Sequence, residues 1–295
     1  GYKSQEDFYM AEGKGFVPDI ITYEYDSGFN AERFITSGYA EKLNKYISED
    51  KTLNSDDYFL SLFKTDSSED IYQIGSGAQI KAMYSEDESI SSESLNVSSF
   101  TELAEKYGTE ILADVHYTPT YNMILEEMLG CYIENSINYQ NDSLDADSDI
   151  ISELLELAKS YYCKDNSDTN ENSDGKISVL DIYDFSHSYN FKNIISFPVT
   201  SPKHQIYLFD KMMISSNSQN KNEAWNIIKM ILLDEYQNNV SENKLSFPVK
   251  KSAFYKMADL RREYEMQNSA QLLEDENIKK STYDVKAAIV LLSKL

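Results

Sequence analysis

At 295 residues the chain is long for one core and suits two domains of ordinary size. Hydrophobic residues make up 41% of it, enough to build packed interiors, which excludes global disorder. A net charge of -23 repels phosphate backbones and anionic lipid heads, so nucleic-acid and peripheral membrane binding are disfavoured.

In chain order, Pro18-Asp19-Ile20-Ile21-Thr22-Tyr23 reads as a short strand entered through a proline. A turn at Tyr25-Asp26-Ser27-Gly28 leads to a helix from Ala31 to about Gly38. Leu43, Tyr46 and Ile47 share one face of a second helix, and Ser55-Asp56-Asp57 caps a third that reaches Phe63. Ile71 to Tyr84 is glycine-containing and extended, and the serines and acids of Ser85 to Ser94 form a surface loop. Ser99, with Glu102 three residues on, predicts a capped helix closed by Gly108. Helical spacing recurs from Tyr121 to Ile137 and again from Asp149 to Tyr162. Ile177 to Leu180 and Ile194 to Phe197 read as strands. Glu223 to Leu233 is the clearest helix, with Trp225 on its apolar face, and Phe254 onward is helical. Strands alternating with helices give an α/β class. Cys131 and Cys163 fall within helical patterns without metal-ligand spacing and are expected to be buried thiols.

The order of these segments resembles the family 1 extracellular solute-binding proteins of bacterial ABC importers. The resemblance rests on Pro18-Asp19-Ile20-Ile21, on Gly38-Tyr39-Ala40-Glu41-Lys42-Leu43-Asn44-Lys45-Tyr46-Ile47, and on Asp56-Asp57-Tyr58-Phe59. It continues in Ser99-Phe100-Thr101-Glu102-Leu103, Lys221-Asn222-Glu223-Ala224-Trp225, Glu235-Tyr236-Gln237 and Phe247-Pro248-Val249-Lys250-Lys251. The chain departs from the family in three places. Relatives carry a further strand, helix and strand before the first of these segments. The stretch Tyr72-Gln73-Ile74-Gly75-Ser76-Gly77 lacks a Tyr-x-Leu-Pro, and Phe100 stands where a tryptophan is usual.

The resemblance implies a periplasmic-binding-protein-like fold of type II, with two α/β lobes, a cleft between them and hinge crossings near 78–82, 207–211 and 244–248. Residues 1–80 and 209–244 would form the N-terminal lobe, and 81–208 with 245–295 the C-terminal lobe. The lobes would close on a small polar ligand, expected to be a carbohydrate, and an ABC permease would read the closed shape. A monomer without cofactor is expected. Gly1 reads as the remnant of a cleaved tag. The resemblance implies a protein outside the cell, held to the cytoplasmic membrane by a lipid-modified N-terminus that this chain does not include.

Sugar recognition needs aromatic faces and hydrogen-bonding acids or amides. Tyr23 and Asp26 occupy the loop where sugar-binding relatives place such a pair; Tyr117, Tyr183 and Tyr283 follow other element ends that face the cleft in relatives. With 23 tyrosines in the chain, packing is the competing role for each. Asn170, Asn172, Asp174 and Asp181 match the oxygen positions of a calcium loop around Gly175, although Asn opens it and Asp replaces the closing Glu. An EF-hand also needs a helix where Ile177 to Leu180 reads as a strand. His116, His187 and His204 are scattered, and no nucleophile motif accompanies them, so no catalysis is expected. Two rival readings are a degenerate binding fold serving as a sensor or interaction module and, more remotely, an enzyme acting on acidic or sugar substrates.

Overall fold

The computed structural model describes residues 18–24, 29–65, 68–85, 87, 90, 95–107, 124–139, 141–165, 177–182, 194–195, 205–243 and 246–272. They fall into two compact units. The first takes its described residues from 1–79 and 206–295, the second from 80–182 and 189–205.

The first unit is built on a three-stranded sheet ordered β1-β11-β4: β1 is Ile20–Tyr23, β11 Lys211–Ile214 and β4 Gln73–Ile74. Tyr23 stands opposite Lys211 and Ile20 opposite Ile214, while Met212 stands opposite Ile74. Both outer strands run antiparallel to β11, so β1 and β4 are parallel to each other and end at the same edge. β-branched and aromatic residues favour the pleated backbone here, and their alternation sends neighbours to opposite faces. Met213 joins Ile21, Tyr23, Phe34 and Ile35 on one face. Ile214 joins Leu43, Ile47, Trp225 and Ile228 on the other. Helices therefore cover both faces, the α/β arrangement expected from the sequence.

On the first face lies α1, Ala31–Thr36. The Asn30 side chain accepts from the Arg33 N–H at 2.8 Å, and the helix stops at Gly38, whose φ of +80° suits a residue without Cβ. On the second face lie α2, Asn44–Glu49, and a later helix, Lys221–Ile228, extended by a tight turn at Lys229–Leu232. Asp50, at the end of α2, ties the two together. Its Oδ2 accepts from Trp225 Nε1 and from Lys229 Nζ, each at 2.8 Å, while Oδ1 accepts from the Thr52 N–H and hydroxyl. Burial pushes this carboxyl up, but the Lys229, Thr52 and Trp225 bonds outweigh it and hold the group well below the usual carboxylate range. The sequence expectation of a helix reaching Phe63 is met only by two tight turns, Ser55–Asp57 and Leu60–Phe63, before the short hairpin of β2 (Lys64–Thr65) and β3 (Ser68–Ile71).

Strand β5, Gly77–Tyr84, begins in the first unit, where Gly77 and Ala78 pair with Pro248 and Phe247 of β12. In the second unit its residues from Ile80 onward pair with β8 (Ser178–Ile182) and, at Met83 and Tyr84, with β9 (Ile194–Ile195). Around them pack α3 (Val97–Tyr107), a π-helical stretch at Ile124–Leu129, α4 (Gly130–Ser136) and α5 (Ser148–Asp165). Phe100, Met128, Tyr132, Leu154 and Tyr161 meet in one apolar core. The cap of α3 differs from the sequence expectation. Asn96 and Ser99 cap reciprocally, Ser99 N–H to Asn96 Oδ1 at 2.8 Å and Asn96 N–H to Ser99 Oγ at 2.9 Å, so Glu102 is not the partner. A hairpin of β6 (Ile137–Asn138) and β7 (Ser143–Leu144) follows α4.

The chain returns to the first unit through β10 (Gln205–Phe209), continues through β11, the helix at Lys221–Ile228 (α6) and α7 (Asp234–Asn243), and ends its described part in α8, Lys251–Leu272. Residues 245–295 are placed with the second lobe by the sequence reading. Their described part belongs to the first unit instead. Val249 is fully buried among Leu43, Ile74 and Trp225, and its carbonyl accepts from the Phe59 N–H at 3.1 Å. An apolar helix face announces that it will be buried, but not against which core. Cys131 lies in α4 and Cys163 in α5; the expectation of buried thiols lies outside the described side chains. Among the described residues no helix is long and apolar enough to cross a membrane.

Candidate functional site

In open α/β sheets ligands gather outside the C-terminal ends of parallel strands, where loops converge and backbone groups are free of the ladder. In the first unit that edge is the one at which β1 and β4 end and β11 begins. It collects Tyr23 and Glu24 from β1, Gln73 and Ser76 from around β4, and Asp210 and Lys211 from the turn into β11.

Tyr23 is 6% exposed and its hydroxyl donates to Gln73 Oε1. Burial, assisted by the negative charge of Glu32, pushes the phenol far up, so it stays protonated and remains a donor. One ring neighbour is Phe29, at 4.7 Å between centroids, and the Lys211 ammonium lies 4.8 Å from the ring centre. Lys211 itself is pushed down by burial, against the pull of Glu24. The Glu24 side chain is open to solvent on one side, yet its carboxyl is raised. Partial desolvation comes first and the charge of Asp210 second, while a backbone N–H of Asp210 and Lys211 work in the other direction. Asp210 occupies the turn with φ +46°, a left-handed conformation that Asp tolerates better than most residues. Its Oδ2 accepts from Ser76 Oγ at 2.6 Å and from the Tyr236 hydroxyl at 3.5 Å.

The edge is thus rich in acceptors, with two neighbouring carboxylates and a partly desolvated ammonium that interacts with Glu24. Such an array can bind hydroxyl or amine groups of a polar solute. A second, shallow polar concavity of about 570 Å³ lies toward the other end of β11, lined by Lys45, Tyr46, Asn217, Lys221 and Glu223 among others. Among the described residues no three His, Cys, Asp or Glu side chains stand together as a metal site would need.

No protein-family model and no curated protein matches the sequence. Solved structures do match. CpMnBP1, solved with mannobiose bound, superposes with a TM-score of 0.50 at 11% identity, covering 97% of this chain and 75% of that one. The chain has a solute-binding-protein fold. The sugar-binding protein MalE from Xanthomonas citri gives a TM-score of 0.49 at 12% identity over 85% of this chain and 70% of that one. An ABC transporter solute-binding protein from Thermotoga lettingae, bound with α-D-tagatose, gives 0.49 at 15% identity over 85% and 72%.

Within this solute-binding fold, Tyr23 is the one sequence-predicted ligand residue among those described, and it is packed into the sheet rather than presented on it. Asp26, Tyr117, Tyr183 and Tyr283 lie outside the described residues, as do Asn170, Asn172 and Asp174. Asp181 sits in β8 opposite Lys81. The stretch that an EF-hand would need as a helix is a strand there. Glu24, Gln73, Ser76, Asp210 and Lys211 are absent from the sequence-based candidates. The only local signal for them is an Asp between two apolar β-type runs, Phe209-Asp210-Lys211, which marks a turn but not its neighbours.

Proposed function

We propose that the chain captures a small polar solute, a carbohydrate, for an ABC importer. The fold shared over nearly the whole chain with CpMnBP1, which was solved with mannobiose, carries the reading. The acceptor-rich edge of the first sheet supports it, because sugar hydroxyls are bound by carboxylates and amides working with aromatic faces. Asp26, Tyr117, Tyr183 and Tyr283 are the ligand contacts in this reading. Tyr23 is held in the sheet by its bond to Gln73 and its packing on Phe29. The protein works outside the cell as a lipid-anchored monomer, hands its cargo to permease subunits and turns over nothing itself. Calorimetric titration with mannobiose and a panel of mono- and oligosaccharides tests the proposal. Saturable binding of at least one sugar, weakened by Y183A or Y117A, is the expected result; no binding across the panel overturns it.

A further inference from the structure

Gly75-Ser76-Gly77 follows β4 and leads straight into β5, the strand by which the chain leaves the first unit, and β10, by which it returns, lies beside β5. Neither glycine could be replaced without displacing a neighbour. A Cβ on Gly75 would stand 2.8 Å from Leu208 Cβ and 3.0 Å from the Phe209 carbonyl oxygen. A Cβ on Gly77 would stand 1.8 Å from Ser246 Oγ and 2.9 Å from Ser246 Cβ. The two glycines admit the β10 side and the β12 side, respectively, to contact with the same short segment. Between them Ser76 is nearly buried, at 3% exposure, and bonded outward: its N–H donates to the Phe209 carbonyl at 2.9 Å and its hydroxyl to Asp210 Oδ2 at 2.6 Å.

The Ser76 carbonyl accepts at 2.8 Å from Nε2 of Gln237, a residue of α7 with no exposed surface. The same nitrogen donates to the Ile231 carbonyl at 2.7 Å, and Oε1 accepts from the Lys250 N–H at 3.0 Å. One buried amide thereby uses both of its donors and its acceptor to join Ser76, the end of the turn after α6, and the start of α8. Without it, two carbonyls and an N–H would be buried without these partners.

We infer that Gly75-Ser76-Gly77, locked by Gln237 and Asp210, is the anchor at which the first unit grips the strands that leave and re-enter it, with Gln237 as the positioning residue. The anchor holds residues 77–79 and 206–209 as part of the first unit, so bending between the units falls outside those two stretches. The inference rests on the proposed binding function only in giving that bending a use.

The test uses the full chain without ligand, carrying spin labels on non-natural residues at exposed Glu49 and Ser160, one in each unit. In Q237A the distance distribution widens, and the Lys250 amide exchanges about tenfold faster or more, the factor expected for one lost hydrogen bond of ordinary strength. G77A widens the distribution too, and G77A/S246G, which removes the clashing side chain, narrows it again. A residue that only adds stability would lower the melting temperature and leave the width unchanged. Unchanged widths in both Q237A and G77A overturn the anchor; should Q237A fail to fold, S76A, which loses the hydroxyl's bonds to Asp210 and to the Phe209 carbonyl, takes its place beside G77A. A protein that binds no sugar but shows these widths loses the carbohydrate reading and keeps the anchor.

Discussion

The first unit holds two clusters of charge that are opposites in design. At Asp50 one carboxylate receives four hydrogen bonds, from Trp225, Lys229 and twice from Thr52, and its side chain is only 7% exposed. At the sheet edge Glu24 lies beside the like charge of Asp210 and shares its charge with Lys211, which burial has made less willing to carry its own. The fold lowers the proton affinity of the first carboxyl and raises that of Glu24. A group whose partners outnumber its charge is holding the structure together. A pair of like charges side by side is held in place by the structure around it.

The sharpest way to break this contrast is D50A. It leaves the Lys229 ammonium, 17% exposed, without its carboxylate and should cost about 3 kcal/mol, read as a lower urea midpoint with an unchanged slope. The pH dependence follows from the same group. Because its folded pKa lies below the unfolded one, its contribution is complete above the unfolded value near 4 and is lost as pH falls through the folded value. Acid titration should therefore separate wild type from D50N at pH 6 and bring them together at strongly acid pH. W225F removes one of the four bonds while keeping most of the ring and should cost about 1–2 kcal/mol in the same denaturation measurement.

Y23F deletes the hydroxyl that meets Gln73 and should cost about 1 kcal/mol, with the aromatic packing on Phe29 retained. The smallest effect is at Glu24, and its sign is reversed. A folded pKa raised above the unfolded one means that the charged form is disfavoured in the fold, so the contribution is fully present below the unfolded pKa and is lost as pH rises through the folded pKa. E24Q should thus raise stability near neutral pH by less than about 1 kcal/mol, given solvent screening, and abolish that small pH dependence in thermal melts. A loss of stability in E24Q would erase the contrast with Asp50.

Much of this unit could be read from local pattern. Ile21 and Tyr23 alternate as a half-covered strand should, and Trp225 lies on the buried face that its helical spacing predicts. The second unit was legible to a similar depth, although its apolar spacing after Tyr121 gave no notice that the turns at Ile124–Leu129 would be wound as a π-helix. What local pattern does not carry is pairing. Glu24 and Asp210 become neighbours only because Tyr23 falls opposite Lys211, a register decided by which faces of two remote strands are apolar. The same reason hid the place of 246–272. The Gly75-Ser76-Gly77 segment reads as a plain extended stretch in one dimension and is a crowded crossing in three.

Strand β11 carries a consequence for how such a chain can change over evolutionary time. Its successive residues Met213 and Ile214 serve two different interiors, one on each side of the sheet. Substitution by another apolar residue is tolerable at either position. A single inserted or deleted residue is not, because it would exchange the two side chains between cores that were shaped for different volumes. Length variation among descendants of this chain should therefore collect in the loops and leave 211–214 free of gaps, even where every residue in it has been replaced.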